Sequence, residues 1–411
     1  MSFQRKLELA LRLLEHEDND ISYETIEFIQ QFVDRSRHAE YQMPENYTAH
    51  IIRACVHKMR YSDEYNFDRP GQDEAEYDDF VNELKQLFES CVLTCPNLVF
   101  QLVRERLNSL SDQMAFRDAE LTIRLLYNLG ECLPADMGPS KFNGENPTEL
   151  QKLFGIFVLC SVPQHHSVIR LMLETIVRYD KFFMHDKTTL GPVLEFIVGQ
   201  GGLIHNNGMV RSRAAYLFSR LIRELQPLMS SYAMDLLKSL NKALYEGDEE
   251  FLSESDRSFV FEAAGYLVCA APIDPENKGQ LYSELLAPLI SRFQADVAML
   301  AEKQMEPEMQ SAVALRASNY VAWAGRTTKC WKAPENVEMC KAKPVLAHTV
   351  QLFVSALRIP PQVNDRNVVL QSIRTFLHRM LICLGKDVLG TDKKILINHF
   401  SLVLESRTWT L

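Results

Sequence analysis

Arg213, Tyr216, Arg220 and Arg223 recur at intervals of three and four residues behind a Gly-containing turn, with no acid in the stretch before Glu224. At 100° per residue they form one cationic row with an aromatic ring in it. Guanidinium forks pair bidentately with phosphate and carboxylate oxygens, so such a row suits a phosphate backbone or an acidic protein surface. Arginines on stacked helices also serve as hydrogen-bond ladders to neighbouring helices, and the sequence leaves both uses open. Val210, Ala214, Leu217, Leu221 and Leu225 fall on a separate apolar stripe that can bury. Arg211 lies elsewhere, beside Phe218.

A second group is Arg374 and His378, at i and i+4, extended by Gln371, with no acid between Asp365 and Asp387. This suits a phosphate-facing surface or a solvated helix flank. Arg379 falls on a different face. Lys329, Lys332, Lys341 and Lys343 with Trp331 mark an irregular basic loop over 329–343 that could touch a nucleic acid by charge and stacking. The acidic counterpart is an irregular segment over 63–79, where eight carboxylates face one arginine, Arg69. It reads as a disordered solvated loop or as the electrostatic partner of a basic surface.

Nothing in the spacing argues for catalysis. The chain lacks a phosphate loop, an H-E-x-x-H pair and a G-x-S-x-G elbow. Cys160 with His165 and His166 has nothing to orient it as a nucleophile, and Cys91 with Cys95 lacks the further ligands of a zinc site. No enzyme activity, cofactor or metal is expected.

The net charge of −10 over 411 residues excludes a uniformly basic nucleic-acid binder, so any RNA contact must be a local patch, and no DNA partner is expected. Nine cysteines without a regular framework fit reduced thiols. No apolar run approaches the ~20 residues of a membrane span.

Helical periodicity recurs from end to end and strict alternation does not, which predicts an all-α chain. The pattern places helices near 3–16, 21–35, 45–62, 76–94, 97–110, 113–133, 147–162, 166–183, 188–200, 208–225, 227–246, 255–271, 278–304, 307–328, 344–358, 363–386 and 392–406. Asn146-Pro147-Thr148-Glu149 reads as an N-cap, a Pro at the first helical position and a Glu three residues after the cap; Ser253 and Asp256 form a similar start. Helices joined by short turns, with openings of the form V-R-x-x-A-x-x-L at Val210–Leu217, fit an α-solenoid superhelix of HEAT-type antiparallel pairs at ~40–47 residues per pair. One continuous array over 1–411 is expected, monomeric, with a concave surface lined by the second helices.

Five segments resemble exportin-T, the transfer-RNA export receptors of the karyopherin (importin-β) superfamily. They are Y-D-D-F-V-N-E-L-K-Q-L-F from Tyr77, E-L-T-I-R-L-L-Y-N-L-G-E from Glu120, L-E-T-I-V-R-Y-D-K-F-F from Leu173, V-R-S-R-A-A-Y-L-F-S-R from Val210 and I-R-T-F-L-H-R-M-L-I-C-L from Ile373. The resemblance implies a receptor that shuttles between nucleus and cytoplasm, binds tRNA together with the GTP-bound small GTPase Ran, and passes the pore by contacting nuclear pore proteins. It also implies that this chain corresponds to the middle of such a receptor, without the amino-terminal repeats that make the principal Ran contact and without the carboxy-terminal arch. Without the resemblance, the residues favour a general HEAT scaffold that binds proteins and no RNA.

Overall fold

The computed structural model describes residues 3–37, 44–246, 251–302, 305–331 and 342–384, and among these every regular element is helical. The chain forms two compact units, Met1–Leu194 and Glu195–Leu411. The helix expected at 392–406 lies outside the described residues.

The first unit contains α1 (Phe3–Leu14), α2 (Asn19–Arg35), α3 (Glu45–Lys58), α4 (Gln72–Thr94), α5 (Pro96–Asn108), α6 (Phe116–Cys132), α7 (Glu149–Phe157) and α8 (His166–Arg178), and the division between units falls inside α9 (Leu190–Val198). Helices α2, α4, α6 and α8 pack side by side as one layer, and the first three also pack on partners in a second layer. Phe88, Phe154, Phe157, Tyr179 and Phe183 are fully buried in this unit. Burying side chains of this size contributes ~1.5–3 kcal/mol each, so the interlayer core holds the array together. Gly130 of α6 is where Tyr179 crosses. Its absent Cβ would stand 2.3 Å from the Tyr179 hydroxyl, which donates to Leu126 O at 2.6 Å.

The second unit contains α10 (Gly208–Glu224), α11 (Ala233–Asn241), α12 (Glu254–Ala270), α13 (Pro275–Glu302), α14 (Pro307–Arg326), α15 (Lys343–Val354) and α16 (Arg366–Leu384). Here α10, α12, α14 and α16 form the layer, α12 lying between α10 and α14. Sandwiched that way, α12 is buried almost all round. Its Gly265 lets it approach the 3-10 turn Thr327–Cys330, where a Cβ would meet Thr327 O at 2.0 Å. Arg316 fastens α14 to α13 through a two-pronged pair with Asp296, at 2.9 and 2.6 Å.

Local signals set most helix starts. The capping box at Ser253 forms as expected, with Asp256 N–H donating to Ser253 Oγ at 3.2 Å and Ser253 N–H donating to Asp256 Oδ2 at 3.3 Å. Asp256 Oδ1 also accepts from Ser212 of α10 at 2.8 Å, so this buried carboxylate joins two helices. The start of α7 differs from expectation. Its cap is Thr148, whose hydroxyl accepts from Gln151 N–H at 3.1 Å. Asn146 instead donates its N–H to Asn143 Oδ1, closing a turn. Either residue type can cap, and the turn at Asn143 decides between them.

The acidic segment is also more ordered than its composition suggested. Glu74, whose Oε2 accepts from Gly71 N–H at 2.8 Å, secures the start of α4 at Gln72, so 72–79 is helix, not irregular chain. Residues 61–71 are held by rings: Tyr61 lies 4.3 Å from Tyr65 and 5.0 Å from Phe67, and Phe67 packs edge-on to Phe116 and His165. Aromatic burial offsets the cost of crowding eight carboxylates.

Candidate functional site

Helix α10 begins where Asn207 Oδ1 accepts from Met209 N–H at 2.9 Å and Val210 N–H at 3.4 Å. Its apolar stripe, Val210, Ala214, Leu217, Leu221 and Leu225, is fully buried. That packing fixes the rotation of the helix and turns the opposite face outward.

On that face stand the four residues singled out from the sequence. The Arg213 guanidinium sits 5.1 Å from the centre of the Tyr216 ring and is half-buried. Tyr216 is 37% exposed and meets Phe259 of α12 edge-on at 5.3 Å. Arg220 is exposed and makes no hydrogen bond or ion pair among the described residues. Arg223 is exposed and, among the described residues, pairs with its sequence neighbour, Nη2 lying 3.1 Å from Glu224 Oε1. Side chains with this exposure pair weakly, at ~0–1 kcal/mol, and can exchange partners. The ladder role falls to Arg211, whose Nε donates to Phe251 O at 2.8 Å and whose Nη1 donates to His205 O and Asn206 O, with its guanidinium over the Phe251 ring.

On α16, Arg374 is half-buried with Nη1 3.4 Å from Gln371 Oε1, and His378 is exposed on the same side. Both groups belong to the same layer of the second unit, but α12 and α14 stand between them. They do not form one cluster. Arg379 points away as expected, donating to Thr328 O at 2.5 Å and Trp331 O at 2.8 Å.

The basic-loop expectation is corrected at its described ends. Trp331 is 1% exposed, packed beside Tyr282, and is no platform for a base. Lys329 is tied to the buried Glu262 at 3.1 Å, which also holds Arg326 at 3.1 Å. Lys343 opens α15, and Lys332 and Lys341 lie outside the described residues. A tryptophan among lysines reads as a loop by composition, whereas the core of α12–α14 claims its ring.

The acids of 63–79 are partly engaged. Asp63 lies 3.4 Å from Arg60 and 3.7 Å from Arg117, Asp68 lies 3.0 Å from His166, and Asp78 accepts from the Tyr61 and Tyr65 hydroxyls. Burial pushes the Tyr65 and Tyr77 hydroxyls up to about 12. Helical periodicity does not reveal this aromatic cluster, although the alternation of Tyr and Phe with the acids is a signal for it.

Cys160 and the two histidines make no nucleophilic arrangement. The Cys160 thiol contacts Leu107 O and Ile156 O and burial raises its pKa, while His165 caps α8 and stacks on Phe116 at 3.8 Å. Burial, then the neighbouring His166, lowers His165. Among the described residues no three His, Cys, Asp or Glu side chains gather to hold a metal, and no helix is long and apolar enough to cross a membrane.

Paired helices stacked in two layers, with arginines and carboxylates bridging successive pairs, define an α-solenoid of the HEAT class. A solved structure titled "Importin13 cytosolic state" superposes on it with a TM-score of 0.69 at 15% identity, covering 98% of this chain and 44% of that one, which supports the fold alone. The family profile Exportin-T matches residues 1–398. Exportin-T of Danio rerio is 36% identical over 407 residues, covering 94% of this chain, and those of Mus musculus and Homo sapiens are each 34% identical over a similar span. The chain belongs to the exportin-T family. It spans about two-fifths of these relatives' length, 41% in each case.

Proposed function

We propose that this chain serves nuclear export of tRNA, binding the RNA through phosphate and shape contacts together with GTP-bound Ran, meeting nuclear pore proteins in transit and shuttling between nucleus and cytoplasm. Family membership supports the reading. The observation in the structure that carries it is the outward row Arg213, Tyr216, Arg220 and Arg223, a cationic surface on an acidic body, with Arg374 and His378 as a second contact on the same layer. Double-stranded RNA offers phosphates and 2′-hydroxyls rather than readable base edges, so a row of guanidinium forks fits it without base readout.

Filter-binding titrations of tRNA at two salt concentrations, with and without Ran-GTP, test this. Arg213→Glu, Arg220→Glu and Arg223→Glu together should weaken RNA binding and reduce the slope of log K against log salt by about one for each phosphate no longer neutralised, at unchanged helicity. An unchanged slope rejects the RNA role of the row. No tRNA binding by the parent chain under any of these conditions returns the protein to a HEAT scaffold for other proteins.

A further inference from the structure

Cys269, near the end of α12, and Cys330, in the 3-10 turn after α14, hold their sulfurs 2.9 Å apart. The two are 61 residues apart in sequence, each is 5% exposed, and neither is in a disulfide. A disulfide bond is ~2.05 Å long, so the sulfurs need to approach by less than an ångström.

The surrounding structure keeps them there. Gly265 lets α12 lie against Thr327, the Tyr282 hydroxyl shares a 2.5 Å hydrogen bond with Thr327 Oγ1, and Arg379 clamps Thr328 O and Trp331 O. Lys278 donates to Cys269 O at 2.7 Å from the other side. The contact is therefore fixed by several independent anchors. Nothing in the export reading uses it.

We propose that Cys269 and Cys330 are a reversible oxidation site that closes to a disulfide in the presence of a hydroperoxide. One thiolate attacks the peroxide O–O bond, giving a sulfenic acid and releasing water after proton transfer. The second sulfur attacks the sulfenic sulfur and expels hydroxide, which leaves as water with the second thiol proton. Two thiols and one hydrogen peroxide give one disulfide and two waters, and a dithiol reductant reverses the product. Burial, reinforced by Cys269 and Cys383, holds the Cys330 thiol well above its ordinary range. The reduced pair is thus protected, and oxidation proceeds through brief openings of the turn.

The crosslink would fasten α12 to the turn after α14 and restrict the unfolded chain across a long loop, so the oxidised protein should melt several degrees higher. The test is hydrogen peroxide treatment of the full chain under native conditions, followed by non-reducing peptide mapping and thermal melting. A linked pair of peptides carrying Cys269 and Cys330, a loss of two mass units and a raised Tm, all reversed by dithiothreitol, are expected. Cys269→Ser should abolish the link and the Tm gain, while Cys383→Ser should keep both. If a serine variant fails to fold, comparing native with urea-unfolded oxidation of the parent chain decides the matter, since a link due to proximity in the fold disappears on unfolding. A Cys330–Cys383 link, scattered links, or both thiols free after oxidation of the more exposed Cys95 and Cys160 overturns the proposal.

Discussion

The layer α2–α4–α6–α8 of the first unit and helix α10 of the second both carry arginines and use them in opposite ways. In the first unit Arg124 pairs with Glu120 at 3.1 Å, donates to Met59 O at 2.5 Å and lies over the Tyr61 ring. Arg178 reaches from α8 to Glu131 of α6 at 3.0 Å, and Lys85 of α4 reaches the same carboxylate at 2.5 Å. Arg117 donates to Ser62 O and Asp63 O. On α10 Ser212 bonds across to Asp256 of α12, Arg211 bonds to the Phe251 carbonyl ahead of α12, and Arg220 and Arg223 remain outward. An arginine's role is therefore set by whether a neighbouring element presents a carbonyl or carboxylate at the right height. Helical spacing alone does not settle it.

The comparison is broken most severely by removing one partner of the buried pair. Glu120→Ala leaves Arg124 uncompensated in a site where both side chains are about nine-tenths buried or more, and should cost ~3–5 kcal/mol in urea unfolding. A cost below about 1 kcal/mol would put Arg124 in the same class as the α10 row. Next come the two glycines. Gly265→Ala drives a methyl into backbone at Thr327 and should cost toward the top of ~1–3 kcal/mol, while Gly130→Ala meets the far end of Tyr179 and should cost less. The reverse order would mean that the turn at Thr327 yields more readily than a buried tyrosine.

Smaller still is a dependence on pH. Burial raises the Glu120 carboxyl above its ordinary range despite Arg124. The folded state then holds this proton more tightly than the unfolded state does. The site's contribution is complete below the ordinary carboxylate pKa and is lost as pH rises through the raised native value, by at most ~1.4 kcal/mol per pH unit. Unfolding free energies of Glu120→Gln across that window should lack this slope. Smallest in stability is Arg220→Ala, expected within ~0.5 kcal/mol of the parent. A melting shift well outside that range makes Arg220 structural and weakens the case for the whole row.

The all-α class, sixteen of the expected helices and both faces of α10 could be read from the sequence, because each depends on residues three and four apart. The outward turn of Arg213, Tyr216, Arg220 and Arg223 follows from burying Val210 to Leu225, so it too was legible. Trp331 was not, since its neighbours in sequence include lysines while the ring it packs beside, Tyr282 of α13, is remote in sequence. The same holds for the ring cluster over 61–71, which needs Phe116 and His165 from later in the chain. Long-range pairing such as Cys269 with Cys330 has no periodic signature at all.

Asp256 shows what such long-range pairing does for motion. One carboxylate closes the capping box of α12 and also receives the Ser212 hydroxyl of α10. Fraying the first turn of α12 therefore releases α10, and the two helices should open to solvent as one cooperative unit. Native-state hydrogen exchange would report a shared opening free energy for their amides, where separately capped helices would show two.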